Sequence, residues 1–463
     1  MIYSKIHFLA SHMSFYSYFR ISKPSEAKVP GEKVSETYRQ LRSRTFWGVT
    51  VAYSLFYICR MALSVVKQPL IDGEILTAGQ LGLIGSALLL VYAVGKFVNG
   101  FIADYCNIRR FMAWGLFISA LVNLVMGVMG LVTGRHVLLF VSFFIFWGIN
   151  GWVQSMGSPP GVISLSRWFP LKERGTWYSI FSATPYLGKF LSFNLIGLIA
   201  GMAGWQWGFV FAGACGLVGS LTILLLVSDT PESKGLPSVQ ELSGEQTQKA
   251  DTLPTKTLQK YVFRHPGIWV IALSSAFIYV TQYAVSGWGV LFLQKGKGFS
   301  LESANSIIAF AEAFGIAGTV LAGWLSDKLF RGNRVTPVLL SGALCLLSLG
   351  LFLFARGNAL ANIAFVSLFS LSIGVVFCIV AGLMALDIVP RKATGSALGI
   401  VGISSYVAAG IQDIVSGFMI QEGSATGDYN FVPVSLFWLA ACLVSILLPV
   451  WGWKHLKKKV VEE

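Results

Sequence analysis

Arginine in the middle of an apolar helix is costly, yet the stretch FYICRMALSVV (56–66) places Arg60 there without an acidic neighbour. Lys96, Lys189, Glu312 and Asp413 lie in comparably apolar surroundings. A charge at a bilayer centre costs roughly 2.5–3.5 kcal/mol on insertion scales, so such residues face a cavity or a partner. A guanidinium offers a planar fork of donors that matches two oxygens of an anion, and an ammonium adds a point charge. Three cations against two anions leave the set net positive, which is the chemistry of a site that receives an anionic ligand. Each residue also has a plainer reading. Arg60 pairs with Glu312 or Asp413, Lys96 reaches toward a polar layer or packs against facing helices, and the two carboxylates tie helices together. Neither a G-x-S-x-G nor a G-x-x-x-x-G-K-[ST] motif occurs, and the six cysteines lack metal-site spacing, so no enzyme, cofactor or metal is expected.

The polar residues around these charges recur at helical spacing. Tyr53, Tyr57, Arg60, Ser64 and Lys67 fall at intervals of four and three and share one helix face. The same holds for Tyr92, Lys96 and Asn99, for Asn150, Gln154 and Ser158, for Tyr178, Ser182, Pro185 and Lys189, and for Ser275, Tyr279, Gln282 and Ser286. Such stripes are not lipid-facing. The helices carrying them are long and apolar: 55% of the 463 residues are hydrophobic and only 12% charged, with a mean hydropathy of +0.68. A soluble domain carries charge on about a quarter of its residues. Runs of roughly 20 apolar residues occur twelve times between about 46 and 453, so the expected fold class is an all-α membrane protein. Alternating barrel strands are absent.

The net charge of +14 is topology rather than a nucleic-acid signal. The tail before the first span, the tail after the last and the loops after even-numbered spans hold 27 Lys/Arg; loops after odd-numbered spans hold five, Lys67, Arg135, Lys295, Lys297 and Arg356. The positive-inside rule then puts both termini in the cytoplasm.

Two loops repeat. GFIADYCNIRR after the second span and GWLSDKLFRGNR after the eighth share Gly, an Asp four residues on and a basic cluster; FPLKERG and VPRKATG align Pro170, Lys172 and Gly175 with Pro390, Lys392 and Gly395. Expected boundaries are a cytoplasmic arm over 1–45, disordered or interfacial, six-helix halves over 46–227 and 266–453, a solvated linker over 228–265 and a tail over 454–463. Duplicated six-helix halves describe the major facilitator architecture, with a site near the midplane between them.

The segments NGWVQSMGSPPGVISLSRWFPLKERG (150–175), SDTPESKGLP (228–237) and GWLSDKLFRGNR (323–334) resemble the organophosphate:phosphate antiporters, and the likeness runs from about 40 to 455. The resemblance implies a carrier of the bacterial inner membrane, working as a monomer in the lipid bilayer. It would exchange a sugar phosphate, glucose 6-phosphate ahead of glycerol 3-phosphate, for inorganic phosphate by a rocking motion. Arg60 matches the phosphate-binding arginine of the first span, and Lys96 and Glu312 match a lysine and a glutamate near that site. Gln282 stands where relatives carry a second arginine; Pro185 and Lys189 replace a histidine and a glycine. A phosphate monoester carries about −1.5 to −2, so Lys189 is expected as the second cation. Gln282, Gln154, Tyr53, Tyr57 and Tyr279 complete the expected substrate-binding set, with Asp413 and Glu312 as its acids. Phosphate is expected to neutralise cations on both halves and so favour exchange. A membrane sensor of hexose phosphate with the same fold, and a proton-coupled carrier using Glu312 or Asp413, are the alternatives.

Overall fold

The computed structural model describes residues 17–103, 106–132, 136–244, 255–330, 333–388, 394–424 and 429–456. Among these no strand occurs; a lone bridge joins Arg20 and Cys106. Lipid offers no partner for backbone N–H and C=O groups, and a helix satisfies them within one segment. Twelve helices are long and apolar enough to span: α1 (Gly31–Asp72), α2 (Ala78–Gly100), α3 (Ile108–Val132), α4 (His136–Trp168), α5 (Ile180–Ala203), α6 (Trp205–Leu226), α7 (Pro266–Gly296), α8 (Leu301–Trp324), α9 (Val335–Phe354), α10 (Ala359–Met384), α11 (Ala397–Ile420) and α12 (Val432–Gly452). They form two six-helix halves, α1–α6 and α7–α12.

Without a hydrophobic force between helices in lipid, small residues set the contacts. A Cβ at Gly151 of α4 would run into the Leu88 carbonyl of α2, and one at Gly318 of α8 into the Leu371 carbonyl of α10. The halves meet mainly where α2 packs on α11 and α5 on α8. At the first seam a Cβ at Gly82 would sit 2.7 Å from the Asp413 carbonyl oxygen, and one at Gly417 3.0 Å from that of Ala78.

Two expectations change. Residues 17–45 are not free: α1 begins at Gly31, and Tyr38 donates to the Trp168 carbonyl at 2.6 Å. The start of the linker is buried. Asp229 is 3% exposed and accepts from Ser22 N at 2.7 Å, Ile108 N at 3.0 Å and Arg167 Nη1 at 2.6 Å. One carboxylate thus pins the arm, the start of α3 and the end of α4, a role that a Pro- and Ser-rich composition hides. The apolar stretch 6–13, the loop residues Asp104, Arg331, Pro390, Arg391 and Lys392, and the chain after 456 lie outside the described residues.

Candidate anion-binding site

Arg60 is 3% exposed, in the second half of α1. Its Nε donates to Gln154 Oε1 at 3.3 Å. Gln154 is held from the other side: its amide nitrogen donates to the Phe56 carbonyl at 3.0 Å and to Ser119 Oγ at 2.7 Å. Ser119 in turn donates to Asn150 Oδ1 at 2.6 Å. Gln154 owes its place to a break in α4, where the regular helix ends at Gln154 and resumes at Ser158. Pro159 and Pro160 follow, and neither has an N–H for an intrahelical bond.

This scaffold uses only one edge of the guanidinium. Arg60 Nη1 and Nη2 are buried and have no hydrogen-bond partner in the protein, and neither does the hydroxyl of Tyr92. The guanidinium carbon lies 4.2 Å from the Tyr92 ring centroid and 4.7 Å from that of Tyr57. Such contacts contribute about 2 kcal/mol when desolvated, but they leave the donors of the fork unmet. The cage continues into the second half: Tyr92 packs on Tyr406 with centroids 4.3 Å apart, and Tyr406 lies 4.9 Å from Tyr279 and 6.2 Å from Tyr283. Lys96 Nζ sits 5.0 Å from the Tyr406 centroid, with no carboxylate partner among the described residues.

The other buried charges are spoken for. Lys189 Nζ lies 3.4 Å from Glu312 Oε1 and 3.4 Å from Ser286 Oγ. Lys67 Nζ lies 3.2 Å from Asp413 Oδ1 and 3.4 Å from the Trp288 centroid. Neither carboxylate counters Arg60, and Lys189 is not an unpaired neighbour of it; Lys96 is the second uncommitted cation. Lys67, counted from the sequence with a loop, is 2% exposed because α1 runs to Asp72 and carries it inside. Among the described residues, the charges deep inside the spans are therefore four cations against two anions. All four cations lie on the first half, Arg60 and Lys67 on α1, Lys96 on α2 and Lys189 on α5, and both anions on the second, α8 and α11. Neutralisation on both halves is thus replaced by a one-sided pattern: two cross-half pairs are complete and two cations lack their acid.

Tyr57 lies in the cage, and Tyr279 borders it. Tyr53 is one turn away, stacked on Phe181 at 5.1 Å. Gln282 donates to Tyr186 OH at 3.4 Å. Tyr283 and Tyr406 were missed, although Tyr283 is four residues from Tyr279 and Tyr406 seven from Asp413, intervals that share a helix face.

Residues 49–412 match the sequence pattern of the Major Facilitator Superfamily. The chain belongs to the major facilitator superfamily. Within it, the chain is 31% identical over 445 residues to the glycerol-3-phosphate transporter of Bacillus subtilis, covering 94% of this chain and 97% of the relative. It is 32% identical over 446 residues to the "Probable hexose phosphate transport protein" of Chlamydia muridarum, covering 91% and 93%. A third relative, at 30% over 440 residues and covering 93% and 96%, is the membrane sensor protein UhpC of Salmonella typhimurium. The organophosphate group to which the loop motifs pointed is the group of these relatives.

Proposed function

We propose that this major facilitator protein carries phosphate monoesters of a sugar or of glycerol, glucose 6-phosphate foremost, in exchange for inorganic phosphate. The observation that carries the reading is Arg60: a buried guanidinium with two partnerless terminal nitrogens, close to a lysine without a carboxylate. Two uncompensated positive charges match a phosphate monoester of about −1.5 to −2. Arg60 offers its free fork to two phosphate oxygens, and Lys96 adds a point charge. The Tyr92 hydroxyl, also unpartnered, donates to a third oxygen.

The charge pattern couples binding to movement. Lys67–Asp413 and Lys189–Glu312 join the halves, while Arg60 and Lys96 face a second half that offers aromatic rings and hydroxyls in place of acids. Bound phosphate takes the place of the missing acids, and the closed state gains what it otherwise lacks. A carrier without phosphate must close over two desolvated cations, at a cost of several kcal/mol each in a dry interior. Reorientation is therefore fast when loaded and slow when empty, which makes exchange favoured over net flow. With both termini cytoplasmic, as the Lys/Arg bias supports, the pairs near the end of α1 lie on the outer side. These are Lys67–Asp413 and the 2.7 Å pair Lys295–Asp72.

The relative named as a sensor supports one second reading, in which the same site binds hexose phosphate and signals to a partner instead of transporting. Uptake of labelled glucose 6-phosphate into phosphate-loaded proteoliposomes separates the two. A carrier accumulates label. A protein that binds the ester with micromolar affinity and accumulates none is a sensor.

A further inference from the structure

Beside the phosphate site lies a second polar pocket, between α5, α7, α8 and α10, lined by Lys189, Gln282, Ser286, Glu312 and Ser370 among apolar residues. Its chemistry differs from that of the Arg60 cage, because it contains one whole ion pair with spare capacity on both members. Glu312 is 5% exposed; its Oε1 faces Lys189 while Oε2 has no hydrogen-bond partner. Both of the Lys189 contacts, to Glu312 and to Ser286, are long at 3.4 Å. Ser286 cannot close the gap with its own proton, which it gives to the Gln282 carbonyl at 2.6 Å. A carboxylate oxygen buried without a donor is costly. The group that repairs both shortfalls is one that donates to Glu312 Oε2 and accepts from Lys189 at the same time. A single hydroxyl does this, and the free space of about 10 Å³ admits one group of that size.

The pocket adjoins the phosphate site through the packing of α5 on α1. A Cβ at Gly188, the residue before Lys189, would overlap Tyr57, whose ring contacts Arg60. Gln282 is also next in sequence to Tyr283, which packs on Tyr406.

Resting on the phosphate-ester reading above, we infer that the Lys189–Glu312 pocket is the specificity subsite for the organic moiety. It takes one hydroxyl of a polyol or sugar, with Glu312 Oε2 as acceptor and Lys189 Nζ as donor, while Arg60 and Lys96 hold the phosphate. Lys189 thus serves the ester's carbon skeleton and not its phosphorus. A site that satisfies buried polar groups with substrate hydroxyls discriminates strongly against analogues lacking them.

The test uses the full-length protein in phosphate-loaded proteoliposomes, with labelled phosphate exchange as the readout. Competitors are glucose 6-phosphate, glycerol 3-phosphate, deoxygenated esters of the same carbon number, and inorganic phosphate. The wild-type protein is expected to prefer the hydroxylated esters over their deoxygenated counterparts by at least ten-fold. In Glu312→Gln, which keeps the shape and removes the charge, that ratio is expected to fall to two-fold or less. Ser286→Ala, a milder change, is expected to lower it about three-fold and serves if the first variant does not fold. A wild-type protein indifferent to the hydroxyls, or variants that retain the full ratio, overturns the inference and leaves the phosphate site standing. Absence of any phosphate or ester exchange by the wild-type protein overturns the functional reading itself, and the inference with it.

Discussion

Replacing Arg60 by lysine keeps the charge and removes the fork. Hydrogen bonds between charged groups contribute about 1.5–3 kcal/mol each, so losing one of two should weaken ester affinity about 10- to 150-fold; inhibition of labelled phosphate exchange by unlabelled ester measures it. Lys297, just beyond the end of α7, offers a pH test. It lies 5.6 and 5.1 Å from the Phe292 and Phe352 centroids and donates to Asn362 Oδ1 at 2.6 Å. Burial brings its pKa down from 10.5 to about 8. Below pH 8 the folded protein carries the full penalty of a desolvated charge. Between 8 and 10.5 the unfolded chain binds the extra proton, so stability rises with pH through this window. Melting in detergent should therefore show wild type gaining on Lys297→Gln between pH 7 and 9.5, and parallel curves would contradict it. At this scale the sequence made the inward placement of Arg60 and Gln154 legible, because a charge or an amide inside an apolar run avoids lipid. It was not legible for Lys67, Lys189, Glu312 and Asp413 as pairs, since which acid meets which base depends on how two halves 220 residues apart come together.

Helices α1 and α11, with α5 and α8, carry the cross-half ion pairs, and these act as latches. Truncating one partner of a buried pair costs about 3–5 kcal/mol, because the other charge is left unpaired. Lys67→Met should thus destabilise the closed arrangement of α1 and α11, and Lys67→Met with Asp413→Asn should recover most of the loss. A double-mutant cycle read by distance measurements between spin labels at the ends of α1 and α7 tests this; strictly additive effects would rule out the latch. The close packing of α5 on α1 has its own signature. Gly188→Leu forces α5 from α1 through the overlap with Tyr57 and Ser54 and should abolish exchange while leaving the protein in the membrane, as blotting and uptake together would show. Apolar runs fixed the twelve spans well because length and hydropathy decide them. The break in α4 and the docking of residues 17–45 escaped, since turn chemistry inside a span and hydrogen bonds to a buried Asp229 leave no periodic trace.

At the scale of the whole molecule, the charges deep inside the spans are segregated among the described residues: Arg60, Lys67, Lys96 and Lys189 lie on α1–α6, Glu312 and Asp413 on α7–α12, two acids fewer than bases. Under the proposed function phosphate fills that deficit, so that a loaded carrier moves and an empty one stalls. The duplicated loops made the two-half plan visible from the sequence, but not the segregation of charge, which needs the partners as well as the positions. The most direct test is uptake of labelled glucose 6-phosphate by proteoliposomes with and without internal phosphate, for wild type and Arg60→Ala. The account predicts rapid uptake by wild type only when phosphate is inside, and none by the variant under either condition. Equal uptake by wild-type vesicles that contain no phosphate, or undiminished uptake by Arg60→Ala, would contradict it.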